Sequence, residues 1–158
     1  MIESIRNPVP IGVVGCGRFG CLHAETLHSL AEASLVALVG PRSEVRRELA
    51  AEFPDVPVWE DLDSALRESD AEAWIVASST AAHVSNAKAI LQAGRKVLIE
   101  KPLADELAEA ESLAPLVASD SSNVMAGHIV LFTSEFRELL AELPRRGPIA
   151  YIDAVRHR

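Results

Sequence analysis

Ile11-Gly12-Val13-Val14-Gly15-Cys16-Gly17-Arg18-Phe19-Gly20 places three glycines in the spacing Gly-x-Gly-x-x-Gly, at positions 15, 17 and 20. An apolar run precedes them and an amphipathic helix pattern follows, so the glycines fall in a strand-to-helix turn. There the first glycine permits the tight turn, the second lets a pyrophosphate approach the backbone, and the third lets helix and strand pack closely. The free N–H groups that open the helix then face the phosphates. The chemistry on offer is dinucleotide binding, with Cys16, Arg18 and Phe19 inside the same turn. The competing reading is a glycine-rich turn with no ligand. The preceding strand, the following helix and the place near the start of the chain favour the first.

A dinucleotide site of this kind has an acid about 20 residues past the glycines, where its carboxylate hydrogen-bonds the adenosine ribose. Here that place is Gly40, followed by Pro41, Arg42 and Ser43. No carboxylate stands there to repel a 2′-phosphate. Arg42 can bind one, assisted by the Ser43 hydroxyl and the helix start. NADP is therefore favoured over NAD, the alternative being that Arg42 is a surface arginine in a turn. Ser78, Ser79 and Thr80 precede another helix, and His83 lies in its first turn, where the positive end of the dipole disfavours a charged ring. Glu100 and Lys101 follow a strand; by spacing alone they are a solvated pair, although the C-terminal end of a strand is where open α/β sheets bind ligands. His128 at a strand end reads as structural. Cys16, Cys21, His23 and His28 cluster in sequence, yet Cys21 and His23 point to opposite sides of a helix, and Cys21 and His28 lie two turns apart. No metal site is expected.

Strand patterns recur between helix patterns along the whole chain. Strands are expected at 11–14, 35–39, 56–59, 73–77, 96–99 and 124–130. Helices are expected at 18–31, with Phe19, Leu22, Leu27 and Leu30 inward, at 43–53 capped by Ser43, at 61–66 starting from Asp61 or Asp63, at 81–93, at 105–118 and at 134–143. This alternation implies βαβ units and a doubly wound, mostly parallel α/β sheet of Rossmann type. Residues 1–123 make up the dinucleotide-binding domain. Residues 124–158 hold its last strand, a connecting helix, a turn at 144–148 and a strand at 149–158 that begins a truncated second α+β domain.

Hydrophobic residues make up 49% of the 158 and aromatics 4%, so the core must be aliphatic. A net charge of −8 argues against a nucleic-acid or anionic-membrane surface. No apolar run approaches the roughly 20 residues that span a bilayer, and the first residues lack a secretory signal. Two cysteines in such a chain read as reduced cytoplasmic thiols.

Three motifs in order carry a family resemblance: Gly15-x-Gly17-Arg18-Phe19-Gly20, Ser79-Thr80-Ala81-Ala82-His83, and Ala93-Gly94-Arg95-Lys96-Val97-Leu98-Ile99-Glu100-Lys101-Pro102. Together they resemble the N-terminal half of the glucose–fructose oxidoreductase, inositol dehydrogenase and rhizopine catabolism (Gfo/Idh/MocA) family. Met125 to Phe132 resembles the family stretch leading into the substrate domain. The resemblance implies an NAD(P)-dependent oxidoreductase of a sugar, cyclitol or nucleotide sugar, a sugar-like substrate, and a homo-oligomer in the full-length form. It implies that Lys101 is the catalytic lysine between nicotinamide and substrate, with Glu100 its electrostatic neighbour. It places Ser78, Ser79, Thr80 and His83 near the cofactor. The family's second-domain Asp and His would lie beyond Arg158, so this chain alone is expected to bind cofactor without turning over. The alternatives are a stand-alone NAD(P)-binding or sensing module, and a Rossmann domain for another nucleotide-like ligand such as S-adenosylmethionine.

Overall fold

The computed structural model describes residues 7–148 together with Tyr151 and Asp153. They fall into two compact units, one through Gly127 and one from His128 on. The first contains strands β1 (Val9–Val14), β2 (Ala33–Val39), β3 (Val58–Trp59), β4 (Ala73–Val76), β5 (Lys96–Ile99) and β6 (Val124–Ala126). Its helices are α1 (Arg18–Ser29), α2 (Ser43–Glu52), α3 (Leu62–Glu68), α4 (Thr80–Gln92) and α5 (Leu107–Glu111). The strands are parallel and lie in the order β3-β2-β1-β4-β5-β6. The chain thus winds outward from β1, returns to its other side for β4, and winds outward again. Ligands of such sheets bind where the winding reverses, beyond the carboxyl ends of the strands.

The register aligns those ends. Trp59, Val39, Val14, Val76, Ile99 and Ala126 stand side by side across the sheet. The residues that follow them, Glu60, Gly40, Gly15, Ala77, Glu100 and Gly127, therefore lie along one edge. Successive strand residues face opposite sides, which builds two aliphatic cores. Val14, Val39, Trp74, Val76 and Ile99 meet Leu62 and Ala65 of α3 and Val84, Ala87, Ile90 and Leu91 of α4. Val13, Leu35, Leu38 and Ile75 meet Ala24 and Leu27 of α1 and Leu49 of α2. Strands buried on both faces read as continuous apolar runs, which is the pattern of a parallel sheet.

Several elements differ from expectation. On α1 the buried residues are Gly20, Ala24 and Leu27, while Phe19, Leu22 and Leu30 are exposed. Small residues let the helix sit close to the sheet, and this leaves Phe19 free to face outward. Helix α2 is capped by Arg42, with Ser43 its first residue and no side-chain cap bond. Of the two expected starts of α3, Asp61 is the cap, its carboxylate accepting from the Ser64 N–H at 2.8 Å. The helix expected at 105–118 is α5 plus a short 3-10 turn at Ala114–Leu116. Pro115 has no N–H to donate to the Glu111 carbonyl four residues back. Strand β6 stops at Ala126 because β5, its neighbour, ends at Ile99, and the Gly127 N–H takes the Ile99 carbonyl at 2.7 Å.

The second unit holds a 3-10 turn at Ile129–Phe132 and helix α6 (Ser134–Arg146). α6 runs through Pro144, expected to lie in a turn. A proline this near the end forfeits only a bond to residue 140, and Gly147, at φ 82°, supplies the left-handed stop. The strand expected at 149–158 lies outside the described residues apart from Tyr151 and Asp153.

Candidate functional site

Two cavities flank the end of β1 in the first unit. The larger, of about 600 Å³, runs from the glycine turn past Gly40, Pro41 and Arg42 to Glu60 and Asp61. The smaller, of about 250 Å³, is lined by Arg18, Phe19, Thr80, His83, Glu100 and Lys101. Gly17, Ala77 and Ser78 line both.

The glycine turn separates three physical roles. Gly15 has φ 90°, and a Cβ there would run into the Ser78 backbone. A Cβ on Gly20 would run into the Gly15 carbonyl oxygen. Both glycines are demanded by the packing of the protein on itself. Gly17 is different. Its φ of −81° and ψ of −166° suit any residue, and a Cβ there would meet no atom within 4 Å. It caps α1 with no side chain bonded to the opening N–H groups, and α4 likewise opens at Ser79 without a side-chain cap bond.

Cys16 lines the larger cavity yet is buried, its Sγ 3.9 Å from the Val13 carbonyl. Burial, and then Cys21 nearby, push its thiol up to about 12 from 9.0. The folded state therefore keeps this proton where the unfolded chain releases it. The contribution to stability is complete below pH 9 and falls as the pH climbs towards 12. The urea midpoint of the wild-type chain is expected to drop across that window more steeply than that of Cys16→Ala.

At the far end of the larger cavity Arg42 is exposed and lines the wall. Ser43 does not; it lies beside Arg46 and Arg47 on a separate surface hollow. Arg46 holds the turn, donating to the carbonyls of Gly40 at 3.0 Å and Pro41 at 2.7 Å and pairing with Glu60 at 3.0 Å. Glu60 and Asp61 bring two carboxylates to an end where the sequence shows none at position 40. Both follow the end of β3, a signal the strand-end rule would have flagged. Hydrogen bonds from the backbone and hydroxyl of Ser64 hold the Asp61 carboxyl below the usual carboxylate range.

In the smaller cavity the Lys101 ammonium sits 5.9 Å from the centroid of the Phe19 ring. Among the described ion pairs Glu100 is joined to His23, its Oε1 2.8 Å from Nε2, rather than to the Lys101 ammonium. Its Oε2 accepts the Lys101 backbone N–H at 3.1 Å. His83 is 2% exposed. Its Nδ1 lies 2.8 Å from the Pro102 carbonyl and its Nε2 3.0 Å from that of Ser78. Carbonyls only accept and a neutral imidazole carries one N–H, so His83 ties the two loops together with one donated bond in that state. The Ser78 hydroxyl accepts from Asn86 at 3.1 Å, and Asn86, a wall residue of the larger cavity, had no marker in the sequence. The Lys101–Pro102 peptide is cis. His28 packs edge-on against Phe53, with ring centroids 5.7 Å apart, and His128 is exposed in the second unit.

Comparison with known proteins agrees with this arrangement. Residues 9–128 match the Gfo/Idh/MocA family model, described as an oxidoreductase family with an NAD-binding Rossmann fold. The chain is 31% identical over 118 residues to 4-carboxy-2-hydroxymuconate-6-semialdehyde dehydrogenase of Sphingobium sp., a match over 75% of this chain and 38% of that protein. It is 29% identical over 129 residues to myo-inositol 2-dehydrogenase of Thermotoga maritima, over 82% of this chain and 39% of that protein. The crystal structure of scyllo-inositol dehydrogenase from Lactobacillus casei with bound NAD(H) and scyllo-inositol superposes with a TM-score of 0.78. That likeness, at 24% identity, covers 87% of this chain and 41% of the other and concerns the fold. The chain thus spans about two fifths of the length of the curated relatives it matches. No helix among the described residues is long and apolar enough to cross a membrane. On its sequence, its sheet order and its glycine turn, the chain belongs to the Gfo/Idh/MocA oxidoreductase family, with an NAD-binding Rossmann fold.

Proposed function

We propose that this chain is the dinucleotide-binding portion of an NAD(P)-dependent oxidoreductase that acts on a CH–OH group of a sugar, cyclitol or nucleotide sugar. The observation that carries the reading is Gly17. Gly15 and Gly20 are required by their own surroundings, whereas Gly17 has ordinary backbone angles and open space where a side chain would be. A glycine the fold does not need, at an uncapped helix start between two cavities, fits a ligand that must touch the backbone.

The residues present suit a dinucleotide. Gly15, Cys16, Gly17, Arg18, Phe19 and Gly20 form the pyrophosphate turn, with the α1 N–H groups as donors. Gly40, Arg42, Glu60 and Asp61 line the adenosine end. Ser78, Thr80, Glu100 and Lys101 line the nicotinamide end, and Ser79 opens α4 beside them. His83 supports this end from behind, its buried ring nitrogens facing the carbonyls of Pro102 and Ser78. A bound nicotinamide dinucleotide supplies the hydride acceptor or donor. The Lys101 ammonium then donates a hydrogen bond to the reacting oxygen and stabilises the alkoxide charge that develops as the hydroxyl proton passes to a base of the substrate-binding portion. The smaller cavity, open beside Lys101, takes the sugar-like substrate, and the complete protein works as a homo-oligomer.

Titrating the chain with NADPH and NADH by fluorescence tests the reading; absence of binding by either would reject it. With no acid at Gly40 and with Arg42 on the cavity wall, NADPH is expected to bind more tightly than NADH. Arg42→Ala is expected to weaken NADPH about tenfold, the size of one charge-assisted hydrogen bond, and to change NADH by less than about twofold. Equal NADH binding by the wild-type chain would instead point to the Glu60 and Asp61 carboxylates as the dominant field at that end.

A further inference from the structure

We propose that His23 is a positioning residue for the smaller cavity: acting through Glu100, it fixes the backbone at Lys101. His23 lies on α1 and lines neither cavity, and its partner is 77 residues away in sequence. Its Nε2 is 2.8 Å from Glu100 Oε1, and the two side chains are 26% and 16% exposed, so water competes weakly for the pair. A carboxylate only accepts, so Nε2 carries the proton of this bond. The other carboxylate oxygen takes the Lys101 N–H at 3.1 Å. That N–H has no partner in the sheet. The Glu100 N–H still bonds the Val76 carbonyl within the sheet at 2.9 Å, and one residue later the chain has left the ladder.

A second observation points the same way. A Cβ on Gly127 would stand 3.1 Å from the Ile99 carbonyl oxygen and 3.2 Å from both Cα and Oε2 of Glu100, so the neighbouring strand end packs closely on the backbone and the carboxylate of Glu100. Glu100 is thus held in one orientation by His23, with Gly127 packed close against it. Without His23, its carboxylate is free to turn to water or to the Lys101 ammonium and release the backbone. This pair of side chains links the glycine-turn helix to the lysine loop, beside the approach of the Lys101 ammonium to the Phe19 ring.

Amide hydrogen exchange and ligand titration on the 158-residue chain, with His23→Ala and His23→Gln, test the linkage. The exchange arm stands without any ligand; the titration arm rests on the proposed dinucleotide reading. His23→Ala is expected to speed exchange of the Lys101 amide about tenfold while the amides of Val13 and Ile75 stay unchanged. His23→Gln, which keeps an N–H donor, is expected to restore most of the protection. NADPH affinity is expected to fall about tenfold in His23→Ala, while ADP-ribose, which lacks the nicotinamide, changes by less than about twofold. An unchanged Lys101 amide, or core amides that loosen equally and are not rescued by glutamine, overturns the proposal. So does an equal loss of ADP-ribose and NADPH affinity. If the wild-type chain binds neither ligand, the dinucleotide reading falls, and the Lys101 amide still decides the linkage.

Discussion

Gly17→Val is expected to leave the fold intact and to lower dinucleotide affinity about a hundredfold or more. Valine suits the extended backbone at this position, and its Cβ would meet no atom of the protein within 4 Å. The new side chain instead fills the approach to the uncapped N–H groups of α1, where a pyrophosphate must come within hydrogen-bond distance. A hundredfold loss corresponds to about 2.7 kcal/mol, which the loss of two or three charge-assisted hydrogen bonds supplies. Gly15→Val is the contrast. At φ 90° with the Ser78 backbone in the way, it is expected to destabilise the chain by about 3 kcal/mol or more, a loss visible in the melting temperature before any ligand is added. A Gly17→Val chain that melts like wild type and still binds NADPH like wild type would return the glycine motif to a plain turn.

The sheet was legible because its strands announce themselves. Aliphatic runs such as Val36 to Val39 and Ala73 to Val76 are bounded by Gly40 and by the Ser78–Ser79 pair, and each is followed by a helix pattern. What failed was local. In α1 the hydrophobic period points to Phe19, Leu22, Leu27 and Leu30 as core; Leu27 is buried, but the rest of the packed face is Gly20 and Ala24, since close approach rewards absent atoms over apolar ones. At 105–118 the Pro115 in the middle of the pattern was the correct warning. The β6 boundary depended on where β5 stops, which is tertiary information.

For the site, the glycine turn, Arg42 and Glu100–Lys101 were placed by sequence at strand ends, and the register brings those ends into one row. Glu60 and Asp61 follow the strand expected at 56–59, but in the sequence Asp61 stands only as a helix start, and the ribose acid is sought only at the end of β2. His23 was weighed only as a metal ligand among its sequence neighbours. Its partner stands across the sheet, and no local spacing encodes a contact between residues 23 and 100. His83 shows the opposite limit. Its place beside the smaller cavity follows from the motif, but the burial that sets both ring nitrogens against carbonyls can be seen only in the fold.

Lys101→Ala, in a form of the protein that also carries the substrate-binding portion, is expected to lower kcat by about 10²–10⁴ and to leave the Kd for NADPH within about twofold. The separation follows from where the side chain lies. Its ammonium is exposed in the smaller cavity above the Phe19 ring, whereas Arg42 lines only the larger one. Its backbone N–H is held by Glu100, a contact the alanine keeps. What the variant loses is a positive charge within reach of a reacting hydroxyl, which matters only as alkoxide charge develops. Lys101→Met, which retains most of the stem over the aromatic ring, is expected to be as inactive as the alanine variant, because packing is not the function at stake. If either variant kept full kcat, the developing alkoxide charge would have to be stabilised by another group. If cofactor affinity fell in step with kcat, Lys101 would be a cofactor ligand first.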